Sequence, residues 1–167
     1  MYTRLGFHPD DNGMIPLYQH CIKNDLPIVV HTSNEGFPAF YNWKYTENAN
    51  PSAWSNVLAK NPKLRINFAH FGGSSEVWSN KIIDYMEMYD NVYADLSYSV
   101  EKTIETTLKY WKSHPIVQER LLFGTDYPMT TFLGSLDNYY DNFLKKFDKN
   151  QMNALMVTNT QKFLKID

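Results

Sequence analysis

Three short apolar runs in the sequence each end in a side chain that can bind a metal or move a proton. His31 closes the run LPIVVHTS, His70 closes LRINFAHFGG, and Asp126 closes LLFGTDYP. A short apolar run that stops at Gly, Ser or Pro is typical of a buried parallel strand followed by a turn. Because an acid such as Asp126 is costly to bury without a partner, we interpret these strand ends as the main functional signal.

Segments with apolar residues at helical spacing separate these strands. The predicted strands cover residues 4–7, 27–31, 64–70, 92–96 and 121–126. The predicted helices cover residues 15–24, 51–61, 75–89, 103–111, 115–119, 137–147, 149–157 and 158–164. Strands that alternate with helices indicate right-handed βαβ units and a parallel sheet, so the predicted fold class is α/β. No Gly-rich dinucleotide fingerprint or phosphate loop follows any predicted strand.

The composition limits the classes of protein to consider. A chain of 167 residues fits a single domain over residues 1–167, and 43% hydrophobic with 20% charged residues is ordinary for a globular protein. A net charge of −2 with interspersed signs predicts no nucleic-acid and no membrane partner. The single cysteine, Cys21, leaves no intrachain disulfide, and no apolar run approaches the ~20 residues of a membrane span. No secretory signal pattern is visible, so the expected location is cytoplasmic.

A long predicted loop follows the strand of His31. It covers residues 36–50, GFPAFYNWKYTENAN, with five aromatic side chains and no clear period. Long loops in compact domains are usually functional or disordered, and the aromatic content argues against disorder. We interpret the segment as a lid or a wall of the substrate site. The alternative is a loop that packs over the end of the sheet or against a partner chain.

The carboxyl ends of parallel strands meet at one edge of a sheet, where α/β proteins usually place their chemistry. His31, His70, Asp95 and Asp126 all fall at or near that edge. Imidazole and carboxylate are ligands of zinc and similar metals. A bound metal acidifies water and polarises a carbonyl, and a nearby His or Asp can then move the proton. The pattern therefore favours a site for metal binding and proton transfer.

Each of these residues also has a structural interpretation. A single His at a strand end is often only a hydrogen-bonded structural residue, and Asp126 before Tyr-Pro could be a turn or helix cap. Asp95 lies within an alternating strand pattern, and a cap of the following loop is its preferred interpretation. The other histidines are weaker candidates, because His8 precedes a proline and both His20 and His114 lie on helical stretches where we expect exposure.

Taken together, these segments resemble the amidohydrolase superfamily, in particular its amidohydrolase-2 group of TIM-barrel hydrolases and decarboxylases. The resemblance rests on LPIVVHTS, NPKLRINFAHFGG, NVYADLSYS and ERLLFGTDYPM, in this order. The opening GFHPDD is similar to the fourth-strand segment of the group, and TNTQKFLKI is similar to its closing helix. The resemblance thus covers nearly the whole chain and implies a partial TIM barrel, from about the fourth strand to the eighth.

The resemblance also implies roles for three residues. His31 matches the fifth-strand His, a metal ligand in the family. His70 matches the sixth-strand His, which binds metal or serves in acid and base catalysis. Asp126 matches the eighth-strand Asp, a metal ligand that often accepts the proton of the attacking water. The implied cofactor is a divalent metal, with zinc preferred and manganese as the alternative.

The chain departs from the family pattern at the first strand, where the family carries a His-x-His pair of metal ligands. The sequence contains no His-x-His, and Gly6 stands about where some relatives place a metal-bridging Lys. Neighbouring strands lie ~4.8 Å apart, so a flat sheet would leave Asp126 ~14 Å from the strand of His31, and only barrel curvature brings them to one ion. Open strand edges also invite pairing, so we expect a homo-oligomer or an assembly that covers them.

The predicted function is a metal-dependent hydrolase that acts on a C–N or C–O bond of a small carbonyl substrate, with His70 and Asp126 as catalytic residues. The first alternative is a metal-dependent, non-oxidative decarboxylase of an aromatic acid. The aromatic loop favours that alternative, but no arginine lies clearly at the site edge to bind a carboxylate among Arg4, Arg65 and Arg120. The second alternative is a catalytically incomplete remnant or a partner-binding subunit, which the missing His-x-His favours.

Overall fold

The computed structural model describes residues 6–33, 47–98, 101–128 and 132–166. The described residues form one sheet whose strand order follows the chain, and every neighbouring pair is parallel. The strands are β1 (Ile28–Ser33), β2 (Ile66–Gly72), β3 (Val92–Asp95) and β4 (Leu121–Leu122). The predicted α/β class with a parallel sheet is therefore confirmed.

Helices connect the strands and continue to the C-terminus. The α-helices are α1 (Ile15–Lys23), α2 (Ser55–Lys60), α3 (Glu76–Met88), α4 (Glu101–Ser113), α5 (Pro115–Arg120), α6 (Phe132–Asn138), α7 (Lys149–Asn153) and α8 (Asn159–Leu164). Short 3-10 helices at Asn12–Met14 and Pro51–Trp54 precede α1 and α2, and π-helical turns at Tyr139–Leu144 and Ala154–Thr158 follow α6 and α7. Among the helices within the described residues, none is both long and apolar enough to cross a bilayer.

The outer face of the sheet packs against the helices and forms the main core. Alternate strand residues point to this face and are fully buried: Val30, Ile66, Phe68, Val92, Ala94 and Leu121. The ring of Phe68 lies 6.1 Å from the ring of Trp54 and 5.9 Å from that of Tyr85 in α3. Burial of each large apolar side chain contributes ~1.5–3 kcal/mol, so this face holds the helices on the sheet.

The inner face of the sheet carries the other set of strand residues. Val29, Asn67 and Tyr93 lie side by side there, one on each of the first three strands. Tyr93 packs with Leu122 and with Phe163 of α8, whose ring centroid is 5.0 Å from that of Tyr93. Val29 is 47% exposed. The C-terminal helix therefore covers the inner face at β3 and β4 but leaves it open at β1.

The fourth strand is shorter than the sequence predicts. The prediction placed Asp126 as the last residue of a strand over 121–126, but β4 ends at Leu122. The backbone N–H of Phe123 donates to the carbonyl of Leu155 at 3.1 Å instead of to a neighbouring strand. Asp126 consequently lies in the loop after β4, so its description as a strand residue is wrong.

Two predicted elements fall largely on residues that the structure leaves undescribed. The short strand predicted over 4–7 lies outside the described residues at positions 4 and 5, and residues 6 and 7 are not in a strand. Most of the predicted lid, residues 36–46, also lies outside the described residues. The helix predicted over 137–147 begins earlier, at Phe132, and continues as the π-helical turn.

Candidate active site

An irregularity in the pairing of β1 with β2 shapes the site. The parallel register runs regularly until His31 lies opposite Ala69, and it resumes with Ser33 opposite Gly72. Between these pairs β2 has one residue more than β1, which is the definition of a β-bulge. Bulges turn a side chain away from its regular direction and often occur beside active sites. The bulge therefore separates His70 from the regular alternation of β2.

The backbone within the bulge is left-handed. His70 has φ of +70° and Phe71 has φ of +46°, a region that costs most residues energy but that His, Asn and Asp enter more often than others. The hydroxyl of Thr32 donates to the carbonyl of Ala69 at 2.6 Å, which gives that carbonyl a partner at the interrupted ladder. The strained conformation is thus held by contacts on both strands, as is common at functional sites.

The bulge brings His31 and His70 together. The Nδ1 atom of His31 lies 3.0 Å from the Nε2 atom of His70, and the ring centroids are 4.8 Å apart at an interplanar angle of 72°. Both side chains are partly buried. The structure therefore joins two of the three predicted site residues into a contacting pair at the carboxyl edge of the sheet.

The contacts of His70 determine which of its ring nitrogens carries the proton. Its Nδ1 atom lies 2.9 Å from the backbone carbonyl of Ser97, and a carbonyl can only accept. The Ser97 hydroxyl, 3.0 Å from the same Nδ1, donates to the carboxylate of Asp95 and so also accepts from His70. His70 Nδ1 is therefore the protonated nitrogen, and the lone pair of Nε2 points at His31.

Asp95 holds the surroundings of His70 in place. Its Oδ1 accepts from the backbone N–H of His70 at 3.2 Å and from that of Ser97 at 2.9 Å, as well as from the Ser97 hydroxyl. Its Oδ2 accepts from Nδ2 of Asn67 at 2.6 Å. Four donors offset the cost of burying this carboxylate. Asp95 caps the loop after β3, as the sequence indicated, and it binds the end of β2 as well.

The loop after β4 approaches this network closely. A Cβ atom on Gly124 would lie 2.9 Å from Cβ of Ser97 and 3.3 Å from Oδ1 of Asp95, so only glycine fits without a shift. Asp126, two residues later, is partly buried and has φ of +62°. Burial raises the pKa of Asp126, the charge of His70 opposes that rise, and the charge of Asp95 adds to it. Asp126 is thus within electrostatic reach of both residues.

The donor set can be compared with the needs of a metal ion. In the part of the chain that the structure describes, no group of three or more His, Cys, Asp or Glu residues is arranged to hold a metal. The 3.0 Å between His31 Nδ1 and His70 Nε2 agrees with two nitrogens on one ion, which lie roughly 3 to 3.4 Å apart when each bond is ~2.0–2.1 Å. The histidine pair therefore fits two ligand positions, and Asp126 is the remaining predicted ligand.

The other histidines and the arginines lie away from this pair. His8 and His20 are exposed and bind within their own turns, whereas His114, expected to be exposed, is partly buried beside Tyr110. Arg65 and Arg120 directly precede β2 and β4, so they lie at the amino ends of those strands. No described arginine is therefore at the carboxyl edge to bind a substrate carboxylate.

Asn67 and Ser97 are functional candidates that the sequence analysis missed. Asn67 is buried within an otherwise apolar strand, and this polar residue in LRINFAH was the available signal. Ser97 follows Asp95 by two residues and is also buried. Both contribute by contact with Asp95, which links residues from separate segments of the chain, so local sequence patterns do not reveal the role.

Comparisons with known proteins agree with this architecture. The family model described as amidohydrolase matches residues 3–166. The comparison with curated proteins finds no match. Among solved structures, an uncharacterised TIM-barrel protein, Bb4693 from Bordetella bronchiseptica, is similar with a TM-score of 0.68 and 26% identity over 95% of this chain and 52% of that one.

Two further solved structures show the same fold at lower identity. Amidohydrolase 2 from Bifidobacterium longum subsp. infantis has a TM-score of 0.61 and 15% identity, over 97% of this chain and 60% of that one. A dihydroxybenzoic acid decarboxylase from Polaromonas sp. JS666, with bound manganese and the inhibitor 2-nitroresorcinol, has a TM-score of 0.61 and 19% identity, over 95% and 55%. The chain thus spans little more than half the length of these TIM-barrel proteins and has the fold of a partial barrel.

Proposed function

Because the chain belongs to the amidohydrolase family, we propose that it carries part of the active site of a metal-dependent enzyme that hydrolyses a C–N or C–O bond of a small carbonyl substrate. The observation that supports this proposal is the His31–His70 pair, with nitrogens 3.0 Å apart at the carboxyl edge of the sheet. Asp126 lies within electrostatic reach of His70, one member of the pair. Such an arrangement offers ligands and a proton acceptor at one place.

Each of these three residues has a proposed role. His31 through Nδ1 and His70 through Nε2 supply two nitrogen ligands, and Asp126 supplies a carboxylate. A zinc or manganese ion held there would contribute Lewis acidity. The Nδ1–H of His70 is engaged by Ser97, so only Nε2 of His70 is directed toward the reacting groups. His70 therefore presents Nε2 from a fixed ring position, and this single lone pair either binds the ion or contacts the substrate.

Asp126 is the proposed proton acceptor. Burial raises the pKa of this carboxyl group, which brings its affinity for a proton closer to that of a base working near neutral pH. In its ionised form Asp126 can take a proton from the attacking water.

Decarboxylation of an aromatic acid is the second candidate. Two exposed tyrosines directly follow residues of the site: Tyr98 after Ser97 is 47% exposed, and Tyr127 after Asp126 is 67% exposed. Their rings could stack on an aromatic substrate. Arg65 and Arg120, the two arginines that the structure describes, lie at the other end of the strands and so offer no clamp for the carboxylate.

A remnant without catalysis, or a subunit that acts with another chain, is the remaining alternative. In the described residues β1 is an edge strand, and its Val29 is 47% exposed on the inner face. These features support our proposal that a homo-oligomer or a larger assembly covers the open edge. Light scattering of the purified chain across a range of concentrations tests it, and a monomer at every concentration contradicts it.

Elemental analysis of protein purified without chelator is the first test of the proposed enzyme. Near one equivalent of zinc or manganese per folded chain supports the proposal, and a folded chain without metal contradicts it. A loaded chain is then assayed with small amides and esters and with hydroxylated benzoic acids. Release of an acid indicates hydrolysis, whereas release of carbon dioxide favours the second candidate.

A further inference from the structure

The carboxylate of Asp95 joins three donors that come from two strand ends. The backbone N–H of His70, at the end of β2, lies 3.2 Å from Oδ1, and the N–H of Ser97, after β3, lies 2.9 Å from it. The Ser97 hydroxyl donates to the same oxygen. We propose that Asp95 is a positioning residue that holds the Ser97 carbonyl against Nδ1 of His70 and so keeps the Nε2 lone pair directed at His31.

The backbone N–H of His70 needs such a partner because the registered pairs of β2 with β3 end at Phe68 and Ala94, two residues before His70. The N–H of Ile66 in the same strand faces β3 and donates to the Asn91 carbonyl, and the N–H of His70, four residues later, faces the same side and meets the Asp95 carboxylate. An unpaired N–H in a partly buried position costs ~1–3 kcal/mol. The contact with Asp95 therefore stabilises both the left-handed conformation and the direction in which the imidazole leaves the backbone.

The orientation of the carboxylate is itself fixed by Asn67. An ionised carboxylate only accepts hydrogen bonds, so the Asn67 amide must present Nδ2 to Oδ2, at 2.6 Å. Asn67 lies three residues before His70 in β2, so Asp95 binds β2 at two points. Gly124 closes the remaining side, because a Cβ there would lie 3.3 Å from Oδ1. Rotation of the carboxylate would break several of these contacts at once.

The consequence for chemistry is the tautomer of His70. If the proton moved to Nε2, the Nδ1 lone pair would face the Ser97 carbonyl oxygen at 2.9 Å, which is repulsive. The contacts of Asp95 with Ser97 and of Ser97 with His70 thus hold neutral His70 with hydrogen on Nδ1. Partners of this kind orient histidine ligands of metals, and their loss typically weakens metal affinity 10- to 100-fold. The inference rests on the proposed function for the use of His70, but the tautomer itself is independent of any activity.

The experiment measures the tautomer in the metal-free chain. Histidine labelled with nitrogen-15 is observed by long-range proton–nitrogen correlation at about pH 9, where ordinary imidazoles are neutral. The His70 signals are assigned by their loss in His70→Gln. We expect Nδ1 to be protonated in the unchanged chain. In Asp95→Asn a neutral amide replaces the charged acceptor, and its Nδ2 either faces the donors of Ser97 and His70 or requires the Asn67 amide to turn over and offer Oδ1. Because both arrangements weaken the contacts that hold Ser97 and His70, we expect a mixed or reversed tautomer.

Two further variants keep the test decisive. Ser97→Ala removes the hydroxyl but keeps the carbonyl, so it should retain the Nδ1–H tautomer. Asn67→Ala removes only the bond to Oδ2, so it should shift the tautomer partly, and it decides the matter if Asp95→Asn does not fold. A folded Asp95→Asn with the unchanged tautomer overturns the proposal. If Asp95→Asn does not fold, an unchanged tautomer in Asn67→Ala overturns the proposal instead.

Calorimetric titration with zinc chloride gives a second readout on the same samples. We expect affinity in Asp95→Asn to fall on the order of 10- to 100-fold relative to the unchanged chain. If the unchanged chain binds no zinc while the tautomer shifts as expected, the positioning role holds and the proposed metal-dependent function fails. If zinc binds tightly and equally to a folded Asp95→Asn, the positioning role fails and the proposed function stands.

Discussion

The Nδ1 atom of His31 lies 3.0 Å from Nε2 of His70, although 39 positions separate the two residues in the chain. In a regular parallel ladder the two side chains would point to opposite faces of the sheet. His31 is registered against Ala69, and His70, the next residue of β2, would face the other way. The extra residue of the bulge brings the second imidazole across. The candidate site therefore depends on one local defect in the pairing of β1 with β2.

Removal of a proposed ligand should reduce metal binding. In His31→Ala and in Asp126→Asn we expect metal content, measured by elemental analysis, to fall well below that of the unchanged chain. The first variant lacks one nitrogen ligand, and the second replaces a charged carboxylate by a neutral amide. His20→Ala is the matched control, since His20 is exposed on α1 and its ring lies within hydrogen-bond distance of Asn24 at the end of the same helix. Full metal content in both ligand variants would contradict the assigned ligand set.

A methyl group at Gly124 should disturb the site from the β4 side. Gly124→Ala would place Cβ 2.9 Å from Ser97 Cβ, so the loop or Ser97 must move, at a cost of ~1–3 kcal/mol in the free energy of unfolding. Urea denaturation measures this loss. Gly13→Ala is the control, because nothing lies within 4 Å of the added Cβ. Equal stability of the two variants would show that the close approach to Ser97 is relaxed in solution.

The buried hydroxyl of Tyr18 should produce a stability change at alkaline pH. It donates to the Pro9 carbonyl at 2.7 Å, and burial raises its pKa above the ordinary value near 10. The unfolded chain therefore releases this proton at lower pH than the folded chain, so the folded state loses stability as pH rises above about 10. Tyr18→Phe should lower stability at pH 7 by ~1 kcal/mol and reduce the alkaline loss.

Denaturation curves at pH 7 and at about pH 10.5, just above the ordinary tyrosine pKa, measure that difference. Tyr140→Phe is the matched control, because Tyr140 is 58% exposed. If Tyr18→Phe and the unchanged chain lose the same stability between the two pH values, burial of Tyr18 does not govern the alkaline transition.

Asn159 should be essential to the attachment of the C-terminal helices. It is 2% exposed, and its Nδ2 donates to the carbonyls of Gln118 and Leu121, both at 2.9 Å. Asn159→Asp replaces this donor by an acceptor that faces two carbonyl oxygens, so we expect a loss of ~2–3 kcal/mol or more at neutral pH. Thermal unfolding measures it. Asn153→Asp, at an exposed position, is the control, and a similar melting temperature of both variants would contradict the prediction.

The sequence was informative where local patterns decide the outcome. The apolar runs before His31 and His70 predicted two neighbouring parallel strands, and β1 and β2 do pair in parallel. The helix predicted over 75–89 also has its start near the right residue, because the Ser75 side chain accepts from the N–H of Trp78 at the start of α3. In each case the signal lies within a few residues, because strand periodicity and helix capping are local properties.

The end of β4 shows where local patterns were insufficient. LLFGTD reads as a strand that runs to Asp126, yet the strand stops at Leu122 because Phe123 bonds to Leu155, which lies in a much later segment. The polar residue Asn67 was visible in the sequence, but its partner Asp95 belongs to another strand. Such roles depend on which segments become neighbours in the folded chain.

The sequence by itself determined the alternation of strands and helices, the family, and the presence of His31, His70 and Asp126 at the ends of apolar runs. Only the tertiary structure decided that a bulge would bring the two imidazoles to 3.0 Å and that Asp95 would join His70 to Ser97. The physical reason is that side-chain direction at a strand end depends on ladder register and on buried hydrogen-bond partners. Both arise between distant segments, whereas periodicity arises within one.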